Sequence, residues 1–237
     1  MIKALTFDLD DTLWAVSPVI HAANKVLMDW LSQHAPAFAE RYTIKDFNHL
    51  RDEVLLHQPL LAHDMSRLRL ALLELGLARC GYRPTEATQL AAEGFKVYFA
   101  ARNQVDFYPQ AIRQLEQLHQ DYTLGALSNG NADLKLVGLD HLFAFGFSAG
   151  QVGISKPAPD MFVQALEHMQ IPAHSVIHIG DNPDADILGA QNVGMHTVWV
   201  NLDQQVWPSH QVPASAEITH LEQLADTIKR LHKELDK

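Results

Sequence analysis

The chain has 237 residues, of which 47% are hydrophobic and 19% are charged, and this composition is typical of a folded globular protein rather than a disordered or fibrous one. Its formal net charge of −10, without a cluster of Lys and Arg, argues against a nucleic-acid partner, and no apolar stretch is long enough to predict a membrane span. A single cysteine, Cys80, excludes an internal disulfide and a thiolate metal cluster within the chain, which predicts a cytoplasmic protein.

The first predicted element is a short buried strand that ends in a group of acids. The apolar run 4–7 predicts the strand, and Asp8, Asp10 and Asp11 follow it directly. Asp8 and Asp10 point to the same side of an extended chain and can therefore face one ligand. Crowded carboxylates repel one another unless a cation or a shared proton relieves them, so the segment indicates a divalent metal site. An acidic turn that caps the next segment would give the same short pattern.

The segment 15–104 is predicted to be helical. Apolar residues recur at spacings of three and four in the stretches 19–30, 65–75 and 90–99. Pro36 ends the first helix, and the Gly-Tyr-Arg-Pro sequence at 81–84 separates the second helix from the third. This part of the chain is therefore predicted to be an all-helical insertion.

After Tyr108-Pro109, short apolar runs alternate with helical stretches at 111–118 and 161–168. The predicted strands, including the first one, are 4–8, 122–127, 143–147, 176–179 and 196–200. This alternation is typical of a doubly wound, Rossmann-like α/β fold with a parallel sheet. We therefore expect an α/β core formed by residues 1–14 and 105–237, into which residues 15–104 are inserted.

Further polar residues follow two later strands, at the positions where ligands bind in open parallel sheets. They are Ser128, Asn129, Asp181 and Asp186, and Lys156 opens a turn before a helix. Each has a structural alternative, because Ser-Asn-Gly-Asn is a common turn, an isolated lysine is usually solvated, and 180–186 could cap a helix or bind calcium. Together, however, carboxylates, a hydroxyl and a lysine at one sheet edge suit phosphoryl transfer.

These residues form four motifs that resemble those of the haloacid dehalogenase-like hydrolases. The motifs are Phe7-Asp8-Leu9-Asp10-Asp11-Thr12-Leu13, Leu127-Ser128-Asn129, Lys156-Pro157, and Gly180-Asp181 with Asp186. Their order and spacing cover the chain from residue 7 to residue 186. The resemblance implies a phosphatase that depends on Mg²⁺ and forms an aspartyl-phosphate, and it implies that the helical insertion is a cap.

Roles follow from the same resemblance, residue by residue. Asp8 matches the nucleophile, and Asp10 matches the general acid and base. Ser128, Asn129 and Lys156 match the groups that bind the phosphoryl oxygens. Mg²⁺ is expected among Asp8, Asp181 and the backbone carbonyl of Asp10. Thr12 and Asp186 are expected to orient the groups of this site without ligating the metal themselves.

The expected substrate is a small phosphorylated metabolite, because a cap disfavours macromolecules. Three segments are similar to those of bacterial phosphatases acting on 5-amino-6-(5-phosphoribitylamino)uracil, the ribitylaminouracil phosphate of riboflavin synthesis; they are 128–131, 155–157 and 160–162. The oligomeric state stays open. The nearest alternative is a 2-haloacid dehalogenase, although those enzymes lack an acid at the position of Asp10. A non-enzymatic phospho-acceptor switch and an inactive regulatory relative are further alternatives.

Overall fold

The computed structural model describes residues 1–236 and divides the chain into two compact units. The core unit contains Met1–Ala15, Asp106–Gly130 and the chain from Gly138 onward. The helical unit contains Val16–Val105 and Asn131–Val137. The predicted insertion at 15–104 thus differs from the helical unit mainly by the segment 131–137, which the sequence analysis assigns to the core. That the helical unit acts as a cap stays a prediction.

The core unit, within residues 1–236, holds a six-stranded parallel sheet with the strand order β3-β2-β1-β4-β5-β6. The strands are β1 (Ala4–Phe7), β2 (Thr123–Ser128), β3 (Phe145–Ser148), β4 (Val176–Gly180), β5 (His196–Val200) and β6 (Ala216–Ile218). β1 and β4 are buried at every position, as expected for central strands covered on both faces. This sheet confirms the predicted doubly wound fold, and β6 adds a strand that the sequence analysis did not predict.

The register of the central strands brings their carboxyl ends to one edge. Phe7 of β1 lies beside Ala126 of β2 and Ile179 of β4. Since all three strands run in the same direction, the residues that follow them emerge together. Asp8, Ser128 and Asp181 therefore belong to the same edge of the sheet.

The helical unit consists of helices whose apolar faces pack against one another. Its helices are α1 (Val16–His34), α2 (Pro36–Arg41), α3 (Phe47–His57), α4 (Met65–Arg79) and α5 (Pro84–Arg102). Leu27, Leu31, Phe38, Leu73 and Leu77 are fully buried in its core. α1, α4 and α5 confirm the predicted helical stretches, whereas α2 and α3 lie in a part of the sequence where no separate helix was predicted.

The segment 131–137 is hydrogen-bonded within the helical unit. Arg102 Nε donates to Asn131 Oδ1 at 3.0 Å, and Asn131 Nδ2 donates to Ser66 Oγ at 3.1 Å. The backbone N–H of Asp133 donates to Asn103 Oδ1 at 2.8 Å. These long-range side-chain bonds explain why the segment belongs to the helical unit.

The remaining helices lie in the core unit. They are α6 (Ala111–His119), α7 (Ala149–Val152), α8 (Asp160–Met169), α9 (Gly189–Asn192) and α10 (Leu224–Leu235). α6 and α8 confirm the two predicted helices, and α8 buries Met161, Phe162 and Ala165. Over residues 1–236, none of the helices has the length and apolar character that crossing a bilayer requires.

Candidate active site

Asp8 is fixed at the edge of the sheet by the strand before it and the turn after it. Its backbone N–H continues the sheet by donating to the Ile179 carbonyl at 2.9 Å, and the residue is only 7% exposed. The chain then turns back, with the N–H of Leu13 donating to the carbonyl of Leu9 at 2.8 Å. Asp11 takes a left-handed conformation in this turn, with φ of 59°. Aspartate tolerates that conformation better than most residues, so the turn suits the sequence.

Thr12 connects two of the predicted site acids. It is fully buried, and its Oγ1 donates to Asp181 Oδ1 at 3.1 Å. The same hydroxyl lies 3.4 Å from Asp8 Oδ2. Thr12 therefore contacts both carboxylates, and its supporting role stays a prediction.

Asp10 is oriented by a residue that the sequence analysis did not connect with it. The indole Nε1 of Trp14 donates to Asp10 Oδ1 at 2.8 Å. Trp14 is fully buried and packs edge-on against Phe107, with their ring centroids 5.5 Å apart. A rigid, buried donor thus holds the Asp10 carboxyl in one orientation.

Lys156 lies at the centre of the site. Its ammonium donates to Asp8 Oδ1 at 2.8 Å, to Asp186 Oδ1 at 2.5 Å and to the Leu127 carbonyl at 2.6 Å. All three donors of the ammonium are therefore used, and the side chain is only 1% exposed. A buried charge in this position is stabilised only because it is paired and hydrogen-bonded.

Asn129 attaches the end of β2 to this lysine. Its side-chain amide pairs with the backbone of Lys156, accepting from the N–H at 2.8 Å and donating to the carbonyl at 3.0 Å. Ser128, which is 3% exposed, accepts from the N–H of Gly130 at 3.0 Å. Both predicted phosphate-binding residues thus lie next to Lys156 in the core unit.

Asp186 is held by three donors and uses both of its oxygens. Oδ1 accepts from Lys156 and from His178 Nε2, the latter at 3.3 Å, and Oδ2 accepts from the N–H of Asn182 at 3.0 Å. Its carboxyl packs directly against Gly180, where an added Cβ would lie 2.3 Å from Asp186 Cγ. Glycine is required at position 180 because only the missing side chain lets this carboxyl approach.

The electrostatics of the site show an excess of negative charge. Burial raises the pKa of Asp8 well above its ordinary value, against the opposing effect of Lys156. Burial, together with the charge of Asp186, raises the pKa of Asp181 to about 7. Burial would lower the pKa of Lys156, but the carboxylates of Asp186 and Asp8 outweigh it and raise that pKa to about 12. At Asp186, Lys156 and the hydrogen bond from His178 outweigh burial and lower the pKa.

This charge balance fits a divalent cation. Asp8, Asp181 and Asp186 offer ligand atoms that all lie within 4.8 Å of one another. Three donors already hold Asp186, more than the two that hold Asp8 or the Thr12 hydroxyl that holds Asp181, so Asp8 and Asp181 are the side chains better suited to ligate. Oxygen ligands are those that Mg²⁺ prefers. The part predicted for the backbone carbonyl of Asp10 stays a prediction. A cation here would relieve the repulsion that raises the pKa values of Asp8 and Asp181.

A cavity of about 230 Å³ adjoins Asp181 within the core unit. Its lining includes the acids Asp11 and Asp203 and the polar side chains of Tyr108 and Asn201. Burial, and then the charges of Asp11 and Asp203, raise the pKa of Tyr108, so its hydroxyl stays protonated near neutral pH. The lining of this cavity is thus negatively charged and polar.

The predicted site residues divide into those in direct contact and those nearby. Asp8, Thr12, Lys156, Asp181 and Asp186 form one hydrogen-bonded group. Asn129 adjoins it through the Lys156 backbone and Ser128 directly precedes Asn129 in the chain, whereas Asp10 is fixed separately by Trp14. Two residues that contact the predicted acids, Trp14 and His178, were not predicted from the sequence. The available signals were the four-residue spacing from Asp10 to Trp14 and a histidine that interrupts the apolar run at 176–179.

Comparisons with known proteins show the family of the chain. Residues 2–194 match the family model of the haloacid dehalogenase-like hydrolases. The 5-amino-6-(5-phospho-D-ribitylamino)uracil phosphatase YigB of Escherichia coli is 33% identical over 231 residues, which are 96% of each chain.

Two solved structures resemble the whole chain. A 2-haloacid dehalogenase from Pseudomonas syringae is 40% identical, with a TM-score of 0.92 over 98% of this chain and all of that one. An HAD phosphatase from Thermococcus onnurineus is 25% identical, with a TM-score of 0.65 over 96% of this chain and 98% of that one. The family model and these relatives lead to one conclusion: the chain belongs to the haloacid dehalogenase-like hydrolases, and it is an enzyme.

Proposed function

We propose that this protein is a Mg²⁺-dependent phosphatase of small phosphomonoesters that forms an aspartyl-phosphate on Asp8. The observation that carries the proposal is the buried Lys156 ammonium, which joins Asp8 to Asp186 beside Asp181. This group offers a nucleophile, a fixed positive charge and an oxygen-ligand site at one point. An in-line displacement at phosphorus requires these three elements.

In the first step, a carboxylate oxygen of Asp8 attacks phosphorus and the bond from phosphorus to the ester oxygen breaks. The ester oxygen leaves with its electron pair and takes a proton from Asp10, whose carboxyl Trp14 holds in place. Lys156 neutralises Asp8 and the transferring group, while Ser128 and Asn129 bind phosphoryl oxygens. Mg²⁺, when bound at Asp8 and Asp181, supplies further neutralisation of the phosphoryl charge.

In the second step, water attacks the phosphorus of the aspartyl-phosphate. Asp10, now ionised, takes a proton from this water. The bond from phosphorus to Asp8 breaks, inorganic phosphate is released, and Asp8 returns as a carboxylate. The protons balance, because Asp10 gives one in the first step and regains one in the second.

The proposed substrate class is a phosphomonoester with a neutral leaving alcohol, such as 5-amino-6-(5-phosphoribitylamino)uracil. Its support is the similarity to the E. coli ribitylaminouracil phosphatase and the acidic, polar lining of the cavity beside Asp181. Like charges in that lining disfavour a second anionic group on the substrate.

We further propose that the helical unit acts as the cap and that the protein is cytoplasmic.

A second candidate is a 2-haloacid dehalogenase, which the 40% identity to the Pseudomonas syringae protein favours. Two features of this chain count against it. Asp10 supplies an acid that carbon–halogen cleavage does not need, and the acidic cavity offers no cation, among its lining residues, for a haloacid carboxylate. The phosphatase is therefore the function that the site supports better.

One experiment separates the candidates. The wild-type protein and Asp8→Asn are tested with p-nitrophenyl phosphate and a panel of phosphorylated metabolites, with and without Mg²⁺, and with 2-haloacids while halide release is followed. We expect Mg²⁺-dependent, repeated release of phosphate by the wild type alone. Halide release without phosphatase activity would favour the dehalogenase, and a single labelling event without turnover would favour a phospho-acceptor switch.

A further inference from the structure

His178 is a fully buried, ionisable side chain in the middle of a central strand. It lies in β4, and its register partner on β1 is Thr6, which is also fully buried. The other positions of these two strands are apolar or glycine. An imidazole and a hydroxyl in such a place lower stability unless their polar atoms are hydrogen-bonded, so their partners are informative.

Both ring nitrogens of His178 have partners. Nδ1 lies 2.9 Å from Thr6 Oγ1, and Nε2 lies 3.3 Å from Asp186 Oδ1. Asp186 is ionised beside Lys156 and can only accept, so the proton of the neutral ring resides on Nε2. Asp186 therefore fixes one tautomer, in which Nδ1 accepts from the hydroxyl of Thr6. The edge-on contact with Phe162, at 5.1 Å between ring centroids, adds packing on the same ring.

His178 and Lys156 share one oxygen atom. Asp186 Oδ1 accepts from both, and Lys156 continues to Asp8 Oδ1. A continuous series of hydrogen bonds thus runs from Thr6 through His178, Asp186 and Lys156 to the nucleophile. Lys156 lies nearer to Asp186, at 2.5 Å, than to Asp8, at 2.8 Å. The donor from His178 withdraws negative charge from the oxygen that competes with Asp8 for the ammonium.

From this geometry we propose that His178 is a positioning residue for the phosphatase reaction: its Nε2–H holds Asp186 Oδ1 so that Lys156 stays shared between Asp186 and Asp8. The proposal rests on the proposed function. Without this donor, the Asp186 carboxylate is less fixed and attracts Lys156 more strongly. The ammonium then shields Asp8 and the incoming phosphoryl group less well, which slows the chemical step more than it weakens substrate binding.

The test compares three variants with the wild type on p-nitrophenyl phosphate at saturating Mg²⁺. His178→Leu removes the donor, His178→Gln keeps an amide donor near the position of Nε2, and Ile177→Val is the control. Ile177 is fully buried in the same strand but points to the opposite face of the sheet. Thermal unfolding is measured for each protein, so that a loss of folded protein is recognised.

For His178→Leu we expect kcat to fall by roughly 10–100-fold with little change in KM, as for other residues that orient a catalytic group. His178→Gln should regain most of this loss, and Ile177→Val should keep the wild-type kcat. A folded His178→Leu protein whose kcat stays within about 3-fold of the wild type, or a loss that His178→Gln does not reduce, would overturn the inference.

If His178→Leu does not fold, His178→Met replaces it, because methionine also lacks the donor and its flexible side chain adapts to the space of the ring. Its kcat should fall while KM is kept, and an unchanged kcat would overturn the inference. A wild-type protein that hydrolyses no phosphomonoester would reject the proposed function, and this inference with it. An active wild type with a fully active His178→Leu would reject the inference alone.

Discussion

Replacing Lys156 with methionine tests the electrostatic description of the site most strictly. The variant keeps the length of the side chain but removes the ammonium that Asp8 and Asp186 share. The rise in the pKa of Lys156 from 10.5 to about 12 corresponds to ~2 kcal/mol in favour of the charged lysine. Loss of the ammonium also leaves the buried carboxylates of Asp8 and Asp186 without a positive partner. Removing one partner of a buried pair costs ~3–5 kcal/mol, which is the decrease expected in the free energy of unfolding.

The pH dependence of this difference in the free energy of unfolding follows from the direction of each pKa shift. A raised lysine pKa gives stability that is complete below pH 10.5 and is lost only as the pH rises through about 12, so the full effect is present at pH 7. A lowered Asp186 pKa gives stability that is present above its ordinary value of 3.8 and is lost as the pH falls. The difference between wild type and Lys156→Met should therefore shrink near pH 4, where the carboxylates of the variant become protonated.

The assay is thermal unfolding followed by circular dichroism in the presence of EDTA, so that no cation replaces the lysine. For a chain of this size the expected loss lowers Tm by roughly 6–20 °C. Lys229→Met is the matched control, because Lys229 is exposed on α10, and its Tm should stay close to that of the wild type. A Tm for Lys156→Met within roughly 2 °C of the wild type at pH 7 would refute the reasoning.

Three further predictions concern activity. Asp10→Asn should lower kcat by about 10²–10⁴-fold, because the leaving alcohol is no longer protonated; a steady-state rate near that of the wild type would contradict this role. Gly180→Ala should lower kcat by at least about 10-fold, because its Cβ would displace the Asp186 carboxyl, and unchanged kinetics would contradict the required close approach. EDTA should abolish activity and added Mg²⁺ restore it, and Asp181→Asn should raise the Mg²⁺ concentration for half-maximal rate; an Asp181→Asn protein with the wild-type Mg²⁺ dependence would exclude that ligand.

The sheet and the main helices were predictable because their signals are local. The apolar runs at 4–7 and 176–179 are the unbroken patterns of central parallel strands, and both form such strands. β6 was missed because its three residues, Ala216–Ile218, include an exposed glutamate and a half-buried alanine at the sheet edge. So short an edge strand has no alternation to detect.

The segment 131–137 shows what local patterns do not reveal. Its place in the helical unit depends on bonds to Ser66, Arg102 and Asn103, which are about 30 residues or more away in the sequence. Short turns have no periodicity, so their partners become visible only in three dimensions. α2 has only six residues, too few to show a helical period, whereas the buried residues of α3, Phe47, Leu50 and Val54, have spacings of three and four that the sequence analysis did not use.

The clustering of the motif acids was predictable from spacing, but the hydrogen-bond partners of each acid were not. Asp8, Asp181 and Asp186 form one cluster, as their positions after strands predict. That Asp186 has both oxygens occupied depends on His178 and the N–H of Asn182, neither of which a motif includes. Likewise, Trp14 fixes Asp10 through a bond that only the shape of the turn creates.

The central claim is that Asp8 becomes phosphorylated during turnover, and peptide mapping tests it directly. Asp10→Asn protein is mixed with Mg²⁺ and p-nitrophenyl phosphate, whose leaving group needs no proton, so that only hydrolysis of the intermediate is slowed. The mixture is quenched in acid, reduced with borohydride to fix the acyl-phosphate site, digested, and analysed by mass spectrometry. We predict modification of the Asp8 side chain, and none in the double variant that also carries Asp8→Asn. Modification at another residue, or hydrolysis of the substrate with Asp8 unmodified, would contradict the mechanism.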